Sequence, residues 1–405
     1  MPDPTPRTPP EAGPAGGARL SRGDASPAVV LFLVTEDWYF CSHRLPIARA
    51  ARAAGARVIV ATRVDAHGAL IEREGFGLVS LPWRRRSTNP LREVRAFISI
   101  CRLYRRERPD VVHHVAIKPV VYGGLAARCA GVPNQVNAIA GLGYLETSRQ
   151  LRARLLRPVF RAVLRIAWRG GGAHAIVQNP DDAAALVSSG LLEAGRVHAI
   201  RGSGVDVERF APAPEAPGRV NVTFAGRLLW SKGIGELVEA ARLLRARGVD
   251  LDIHLVGEPD RENPESVPDA ALRGWVAEGT VVSHPWSDDM PAVWRAAHVA
   301  VLPSYREGLP KSLLEAAASA RALVATDVPG CREIARDGVN ALLVPARDAG
   351  ALAGAIERLA LDPSLRRRFG AAGREIVERE FAESIVVART LDLYRRVIGA
   401  RGGNW

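Results

Sequence analysis

Two glutamates near the middle of the second half of the chain have the spacing to bind hydroxyl groups beside a phosphate. Glu307 falls in a loop after an apolar, strand-like run, and Glu315 lies on the helix that begins near Pro310. The backbone N–H groups of Gly308 and Leu309 fall at that helix N-terminus, where the helix dipole favours a phosphate. Gly308 also lacks the Cβ that would obstruct a close approach. The pattern predicts a phosphate cradle with two carboxylates, although a capped surface helix with two solvated glutamates shares it.

A second group of residues has the chemistry to neutralise a diphosphate. Gly226 ends the strand-like run 220–226, and Arg227 and Lys232 follow in the turn before the next helix. Ligands of α/β proteins bind at the carboxyl edge of the sheet, which both cations can reach from this turn. Surface charge near a turn is the alternative interpretation.

Lysine is rare in this chain, so the few lysines are informative. Of the 55 basic residues only three are lysine: Lys118, Lys232 and Lys311. Each lies beside a proline or glycine in a predicted loop, where ligands bind in α/β folds. A compact ammonium and a planar guanidinium are not interchangeable. We therefore expect these three sites to require lysine, with chance as the alternative.

The sequence does not predict a metal site or a bound cofactor. The carboxylate pairs Asp181–Asp182 and Asp288–Asp289 both stand at helix starts, where N-capping explains them. No D-x-D pattern ends a strand, and the four cysteines have no metal-ligand spacing. We expect cationic residues, rather than a divalent ion, to hold the diphosphate.

Strand-like and helical patterns alternate along most of the chain. Nearly continuous Val, Ile and Leu runs are typical of parallel strands buried on both faces. The runs are 28–35, 57–62, 77–81, 110–114, 134–139 and 175–179, and then 220–226, 251–257, 280–283, 298–303, 322–326 and 340–345. Two such series predict two doubly wound α/β domains, 28–205 and 206–384, joined near the Gly- and Pro-rich stretch 201–219. Residues 1–27 are Pro-, Gly- and Ala-rich, and we expect a disordered extension there.

Two basic, helix-like segments lie in the first domain. In residues 84–108, Leu91, Val94, Ile98 and Cys101 share one helical stripe, and arginines cover much of the rest. In residues 149–169, arginines recur every four residues at 157, 161, 165 and 169, beside an apolar face with Phe160, Leu164 and Trp168. Either segment is a solvated surface helix or a helix lying in an anionic membrane interface.

The two chemical motifs together resemble the retaining glycosyltransferases of family 4. The resemblance rests on Gly226, Arg227 and Lys232, followed by Glu307 and Glu315. Residues 324–345 and 384–399 also resemble the family, and the order of motifs extends the resemblance over 28–399. It implies the GT-B fold: two Rossmann-like domains facing a cleft, with a C-terminal helix, about 385–400, that crosses back to the first domain.

The resemblance also implies roles for these residues. Arg227 and Lys232 would stabilise the charge that develops on the departing nucleoside diphosphate. Glu315 would bind the ribose and Glu307 the donor sugar. Donor-side contacts would come from Gly226, Gly308, Leu309, Pro310 and Lys311.

The first domain resembles the branch of the family that acts on polyprenyl-diphosphate-linked sugars in bacterial glycan assembly. The similarity lies in residues 37–55, 108–128 and 136–144. It implies a UDP-sugar donor, often N-acetylated, and a cytoplasmic, peripheral location on the membrane. Acceptor-side contacts would come from His43, His113, His114 and Lys118, and from Asn137 at a position where many family members have histidine. His113 and His114 are adjacent on a strand, so at most one faces the cleft.

Two other functions compete with this interpretation. A sugar-nucleotide 2-epimerase shares the two-domain fold, but the basic first domain favours a lipid-linked acceptor. A basic nucleic-acid-binding protein would fit the net charge of +12. Such a protein would need aromatic side chains, interleaved with its arginines, on which bases stack. Phe97 and Tyr104 lie between arginines but fall on predicted core stripes. We therefore expect no nucleic-acid partner.

Overall fold

The computed structural model describes residues 27–83, 89–139, 151–170, 172–261, 263–400 and 405, and only the backbone of 151–157. Residues 1–26 of the predicted extension, parts of both basic segments, and all of 140–150 therefore lie outside the described residues. The described chain forms two lobes, each built on one parallel sheet.

The first lobe contains a seven-stranded sheet in the order β3-β2-β1-β4-β5-β6-β7, with every pair parallel. Its strands are β1 (Val29–Glu36), β2 (Arg57–Arg63), β3 (Gly77–Ser80), β4 (Val111–Val115), β5 (Asn134–Ala138), β6 (Ala173–Val177) and β7 (Val197–Ala199). Its helices are α1 (Asp37–His43), α2 (Leu45–Ala53), α3 (Gly68–Arg73), α4 (Pro90–Glu107), α5 (Ile117–Ala130), α6 (Leu151–Trp168) and α7 (Pro180–Ser188).

The second lobe contains a six-stranded parallel sheet in the order β10-β9-β8-β11-β12-β13. Its strands are β8 (Val220–Ala225), β9 (Leu251–Val256), β10 (Val282–His284), β11 (Val299–Leu302), β12 (Ala322–Thr326) and β13 (Ala341–Val344). Its helices are α8 (Ile234–Ala246), α9 (Asp269–Ala277), α10 (Met290–Ala296), α11 (Lys311–Ala318), α12 (Pro329–Arg332), α13 (Ala349–Leu361) and α14 (Pro363–Glu380), followed by the crossing helix α15 (Glu383–Gly399).

The prediction of two doubly wound sheets is confirmed. The apolar runs form strands because helices cover both faces of each sheet, so almost every residue of β1, β4 and β12 is buried. One strand was missed: β7 has only three residues, which is too short for a recognisable apolar pattern.

The chain passes between the lobes at two adjacent points. Val205 and Ala382 form a parallel bridge, in which Val205 N donates to Phe381 O and Glu383 N donates to Val205 O. Gly204 allows this approach, since a Cβ there would lie 2.6 Å from the Cα of Glu383. Its φ of 71° also favours glycine. Both connections between the lobes therefore run side by side.

The crossing helix α15 belongs to the core of the first lobe. Val386, Leu393, Tyr394, Val397 and Ile398 are buried in the same cluster as Val30, Phe32 and Ile47 of β1 and α2. The second lobe has a separate core around β8, β11 and β12. None of the helices in the described part of the chain is both long and apolar enough to cross a bilayer.

Candidate active site

A cation and a carboxylate meet at the switch point of the second sheet. Strand β8 lies between β9 and β11, so the connections that leave β8 and β11 run to opposite sides of the sheet. Doubly wound proteins bind ligands in the crevice formed at the carboxyl ends of such strands. Lys232 follows β8 and Glu307 follows β11, and Lys232 Nζ lies 2.5 Å from Glu307 Oε1. Both side chains are partly buried.

Backbone contacts between the two loops bring this pair together. Gly233 has a φ of 74°, and a Cβ there would lie 2.1 Å from the carbonyl oxygen of Pro303. Only glycine permits this approach. Tyr305 N donates a hydrogen bond of 2.9 Å to Ser231 O, which joins the same two loops. The position of Lys232 is therefore fixed by packing against the end of β11.

The Glu307 carboxylate is held from a second direction. Ser304 Oγ donates to Glu307 Oε1 at 2.6 Å, and Ser304 O in turn accepts a hydrogen bond from Thr326 Oγ1 at the end of β12. Gly330 lets the next loop approach, since a Cβ there would lie 2.4 Å from Glu307 O. Three strand ends, those of β8, β11 and β12, thus orient one carboxylate.

The predicted phosphate cradle lies beside Glu307. Pro310 is the N-cap residue of α11, and Gly308 and Leu309 immediately precede it. Among the described residues, the N–H groups of Gly308 and Leu309 donate no hydrogen bond to the protein. Two free backbone donors at a helix N-terminus form an anion-binding arrangement.

Glu315 lies one turn into α11, only 7% exposed. Its Oε2 accepts a hydrogen bond of 3.4 Å from Trp294 Nε1, and its Oε1 lies 3.8 Å from Lys311 Nζ. Burial raises the pKa of this carboxyl, and the positive charge of Lys311 opposes that rise. A buried carboxylate with two partners and spare acceptor capacity suits the hydroxyl groups of a sugar.

Arg227 follows β8 and Gly226 but carries its own counterion in this structure. One of its guanidinium nitrogens lies 2.7 Å from Asp260 Oδ2. Gly257 ends the neighbouring strand β9, and a Cβ there would lie 2.1 Å from Gly226 O. The close approach of these two strand ends gives Arg227 its place at the sheet edge. Gly257 was not predicted, because one glycine in a strand pattern carries little information.

The two lobes touch across the cleft close to this site. Lys311 Nζ donates to the carbonyl oxygen of Ser42 at 2.9 Å, and Asn179 Nδ2 donates to Gly308 O at 3.4 Å. A Cβ on Gly202 would lie 2.9 Å from Leu309 Cδ2. The donor-side loop therefore rests against three elements of the first lobe.

His43, which we predict to contact the acceptor, follows Ser42 at this contact between the lobes. Its ring stacks on Tyr39 with ring centroids 4.1 Å apart. Burial and the positive charge of Lys311 lower the pKa of His43 to about 3. The imidazole is therefore neutral at physiological pH.

The expectation that His113 or His114 faces the cleft is wrong. Both are fully buried, because helices cover both faces of β4. His113 Nδ1 hydrogen-bonds to the hydroxyl of Tyr394 on α15, and His114 Nε2 lies 3.0 Å from the hydroxyl of Tyr104. Burial lowers the pKa of both histidines, that of His114 to about 4.

Asn137 and Lys118 are also placed differently from the expectation. Asn137 is a fully buried residue of β5, and its Oδ1 lies 2.8 Å from Nδ1 of His114. Residues 140–150, which follow this strand, are not described. Lys118 Nζ lies 2.9 Å from Glu93 Oε2, so its charge is neutralised by a carboxylate of α4. Neither residue is part of the group around Glu307.

Two facing α/β lobes, with a cation–carboxylate pair and a phosphate cradle at the switch point of the second, define the GT-B architecture. Residues 29–177 match the family model described as Glycosyl transferase 4-like. Residues 219–362 match the model described as Glycosyl transferases group 1.

Whole-chain relatives agree with these matches. The chain is 31% identical over 328 residues to alpha-maltose-1-phosphate synthase of Mycolicibacterium smegmatis, covering 72% of this chain and 80% of the relative. It is 26% identical over 369 residues to N,N'-diacetylbacillosaminyl-diphospho-undecaprenol alpha-1,3-N-acetylgalactosaminyltransferase of Campylobacter jejuni, covering 88% and 95%. The chain belongs to the group 1 glycosyltransferases, the family 4 enzymes of GT-B fold.

A solved structure shows the same fold. HepE of Anabaena, in complex with UDP-glucose, superimposes with a TM-score of 0.72 at 19% sequence identity. The match covers 90% of this chain and 99% of that one.

Proposed function

We propose that this glycosyltransferase moves a sugar, N-acetylated in our preferred case, from a UDP-sugar to a polyprenyl-diphosphate-linked saccharide in bacterial glycan assembly, with retention of configuration. The Lys232–Glu307 pair at the switch point of the second sheet carries the proposal. In this proposal, Lys232 would bind the diphosphate and the adjacent Glu307 would bind the sugar. The UDP-glucose complex of HepE and the undecaprenol-linked acceptor of the Campylobacter jejuni relative support the donor and acceptor classes.

The donor diphosphate would replace the carboxylate partners of two cations. In this structure Glu307 neutralises Lys232 and Asp260 neutralises Arg227. A bound diphosphate would pair with both cations and accept hydrogen bonds from the N–H groups before α11. Glu307 would then be left to accept hydrogen bonds from sugar hydroxyls. The cations then stabilise the charge that develops on departing UDP. Glu315 would hold the ribose, and the acceptor hydroxyl would attack from the first lobe.

Transfer of label from radioactive UDP-sugars to a bacterial membrane extract tests the proposed function. We expect a UDP-N-acetylhexosamine to give label that partitions into organic solvent, and GDP- and ADP-sugars to give much less. Label that stays in the aqueous phase as a new sugar nucleotide, without any extract, would instead support the epimerase.

The same assay tests whether the diphosphate is held without a metal. We expect transfer to persist in excess EDTA, because Arg227 and Lys232 supply the positive charge. Asp289 caps α10 as predicted, since its Oδ1 accepts from Ala292 N at 3.0 Å. The expected N-capping by Asp181–Asp182 is wrong, because Asn179 caps α7 and Asp182 Oδ2 instead accepts from Asn179 Nδ2 at 3.1 Å. Loss of transfer in EDTA, with recovery in Mg²⁺ or Mn²⁺, would contradict this account.

The proposed acceptor requires the enzyme to reach a membrane surface, and α4 offers a suitable face. Leu91, Val94 and Ile98 are 73%, 55% and 40% exposed, with the exposed Arg92 and Arg95 between them. Apolar side chains flanked by arginines fit the headgroup region of an anionic bilayer. A polyprenyl tail stays in the bilayer, since each CH₂ brought into water costs about 0.8 kcal/mol.

The prediction that the apolar face of α6 contacts a membrane is wrong. Leu164 and Trp168 are buried in the first lobe, and Phe160 packs against the same cluster. That face is therefore core, while Arg165 and Arg169 remain exposed. The side chain of Arg157 lies outside the described residues.

Vesicle binding tests the docking face. We expect the protein to bind vesicles of anionic phosphatidylglycerol, to bind neutral phosphatidylcholine less, and to be partly released by salt. A triple variant, Leu91→Ser, Val94→Ser and Ile98→Ser, should lose about tenfold or more in vesicle affinity and keep its activity on a water-soluble acceptor. Leu361→Ser, at a residue 69% exposed on the second lobe, is the matched control. Equal binding of the triple variant and the control would refute this face.

A further inference from the structure

The first lobe buries an arginine, Arg44, that has no counterion among the residues that the structure describes. Arg44 joins α1 to α2 and is only 4% exposed. Its Nε is buried without a hydrogen-bond partner. Among the described residues, no hydrogen bond or ion pair reaches its guanidinium. The other arginines in the described part of the chain that are buried to this degree, Arg321 and Arg366, each have a carbonyl or carboxylate partner.

The three titratable side chains on which the charge of Arg44 acts cannot neutralise that charge. They are His43, His113 and Tyr394. None of the three carries a negative charge near neutral pH, because burial lowers the pKa of both histidines and raises that of the tyrosine. An unpaired buried charge is costly, so its presence at one position requires a compensating function.

Arg44 lies at the cleft side of the first lobe, near the donor loop. It lines a narrow recess with Ala138, Ile176 and Ile200, which are at or near the carboxyl ends of β5, β6 and β7. Ile139, Gln178 and Gly202 complete the recess, and Leu309 of the donor loop lies against Gly202. The recess is narrow in this structure, and a phosphate group would enter it only if the contact between Gly202 and Leu309 opened.

We propose that Arg44 binds a phosphate group of the acceptor. This inference rests on the proposed function, in which the acceptor carries a diphosphate next to the reacting saccharide. The donor diphosphate already has Arg227, Lys232 and the N–H groups before α11. In the first lobe, Lys118 is neutralised by Glu93, whereas Arg44 forms no hydrogen bond or ion pair with the part of the chain that is described. A guanidinium binds phosphate oxygens through two parallel hydrogen bonds, which suits a recess that admits one group.

Calorimetry with two probes separates the possible sources of the phosphate. Farnesyl diphosphate, titrated in the presence of saturating UDP, reports on the acceptor site, and UDP alone reports on the donor site. We expect Arg44→Met to lose about tenfold or more in affinity for farnesyl diphosphate and to keep its affinity for UDP. Arg44→Lys should recover part of the loss. Arg396→Met, which removes an exposed arginine of α15, is the control and should bind both probes normally.

Thermal melting distinguishes a binding residue from a structural one. Replacing an unpaired buried charge with an apolar side chain of similar length should leave the melting temperature of Arg44→Met unchanged or raise it. A large fall in melting temperature with loss of both probes would show that Arg44 is structural. Loss of UDP affinity alone would assign its phosphate to the donor and overturn the acceptor assignment.

Two further outcomes separate this inference from the function on which it rests. If the natural protein binds UDP but not farnesyl diphosphate, the lipid-diphosphate acceptor itself is wrong. If the natural protein and Arg44→Met bind farnesyl diphosphate equally, only the role of Arg44 is wrong.

Discussion

Replacing Lys232 with alanine is expected to lower kcat/KM at least about 30-fold. The ammonium is the cation closest to Glu307 at the switch point, and we propose that it stabilises the charge on departing UDP. Removing one such contact costs about 2–4 kcal/mol of transition-state stabilisation, at about 1.4 kcal/mol per decade of rate. Steady-state kinetics with the donor identified by the transfer assay measures the loss.

A second lysine provides the matched control. Lys118 forms an ion pair of similar length, 2.9 Å, with Glu93 in the first lobe, away from the group around Glu307. Lys118→Ala should change stability more than kcat/KM. If Lys232→Ala retains activity within a few-fold of the natural enzyme, Lys232 does not contact the leaving group.

The two glutamates of α11 and its preceding loop should respond differently to the same substitution. Glu315→Gln is expected to weaken UDP binding about tenfold, because the buried carboxylate would accept hydrogen bonds from the ribose. Glu307→Gln should lower kcat about 100-fold with UDP affinity unchanged or higher. The gain arises because UDP no longer has to displace a carboxylate from Lys232. Calorimetry with UDP and turnover measurements on both variants test the difference.

The amide variants retain the size of each side chain, so folding is a minor concern. A Glu307→Gln protein that loses UDP affinity as severely as Glu315→Gln would show that the two roles are assigned wrongly. The Glu307→Gln result also tests whether the UDP diphosphate replaces Glu307 as the partner of Lys232. Weaker UDP binding is the opposite of what that replacement requires.

The residues predicted for the donor side lie close together in the structure because a short stretch of chain contains most of them. Residues 307–315 combine the loop, the helix start and both carboxylates, and a doubly wound sheet brings the end of β8 next to the end of β11. The adjacency of β8 and β11, which brings Lys232 to Glu307, is given by the structure and was not part of the sequence prediction. The Asp260 counterion of Arg227 was not predicted, since nothing in the local sequence connects it to Arg227.

The first lobe was harder to predict because His113, His114 and Asn137 lie within buried strands rather than in the loops that follow them. Adjacent residues on β4 point to opposite sides, but α15 covers His113 and α4 covers His114. The alternation of side chains along a strand cannot show whether a side chain faces a cleft or is covered by a helix from the far end of the chain. Arg44 was overlooked for a related reason, since an arginine in an arginine-rich sequence gives no sign that it is buried.

The basic helices α4 and α6 were also hard to predict from sequence alone. An apolar face beside arginines describes both a core-facing helix and a helix at a membrane surface. On α6 the apolar face is core, whereas on α4 the stripe of Leu91, Val94 and Ile98 is exposed. Only the position of the rest of the lobe decides which side of each helix is left uncovered.

The crossing helix α15 has a consequence for synthesis on the ribosome. Its residues Leu393, Tyr394 and Ile398 complete the apolar core of the first lobe, yet they are translated after the whole second lobe. The first lobe therefore emerges with an uncovered apolar surface and retains it while the second lobe, whose own core is separate, can fold. Such surfaces promote aggregation and chaperone binding during biogenesis. The lobe synthesised first is thus the last to be finished.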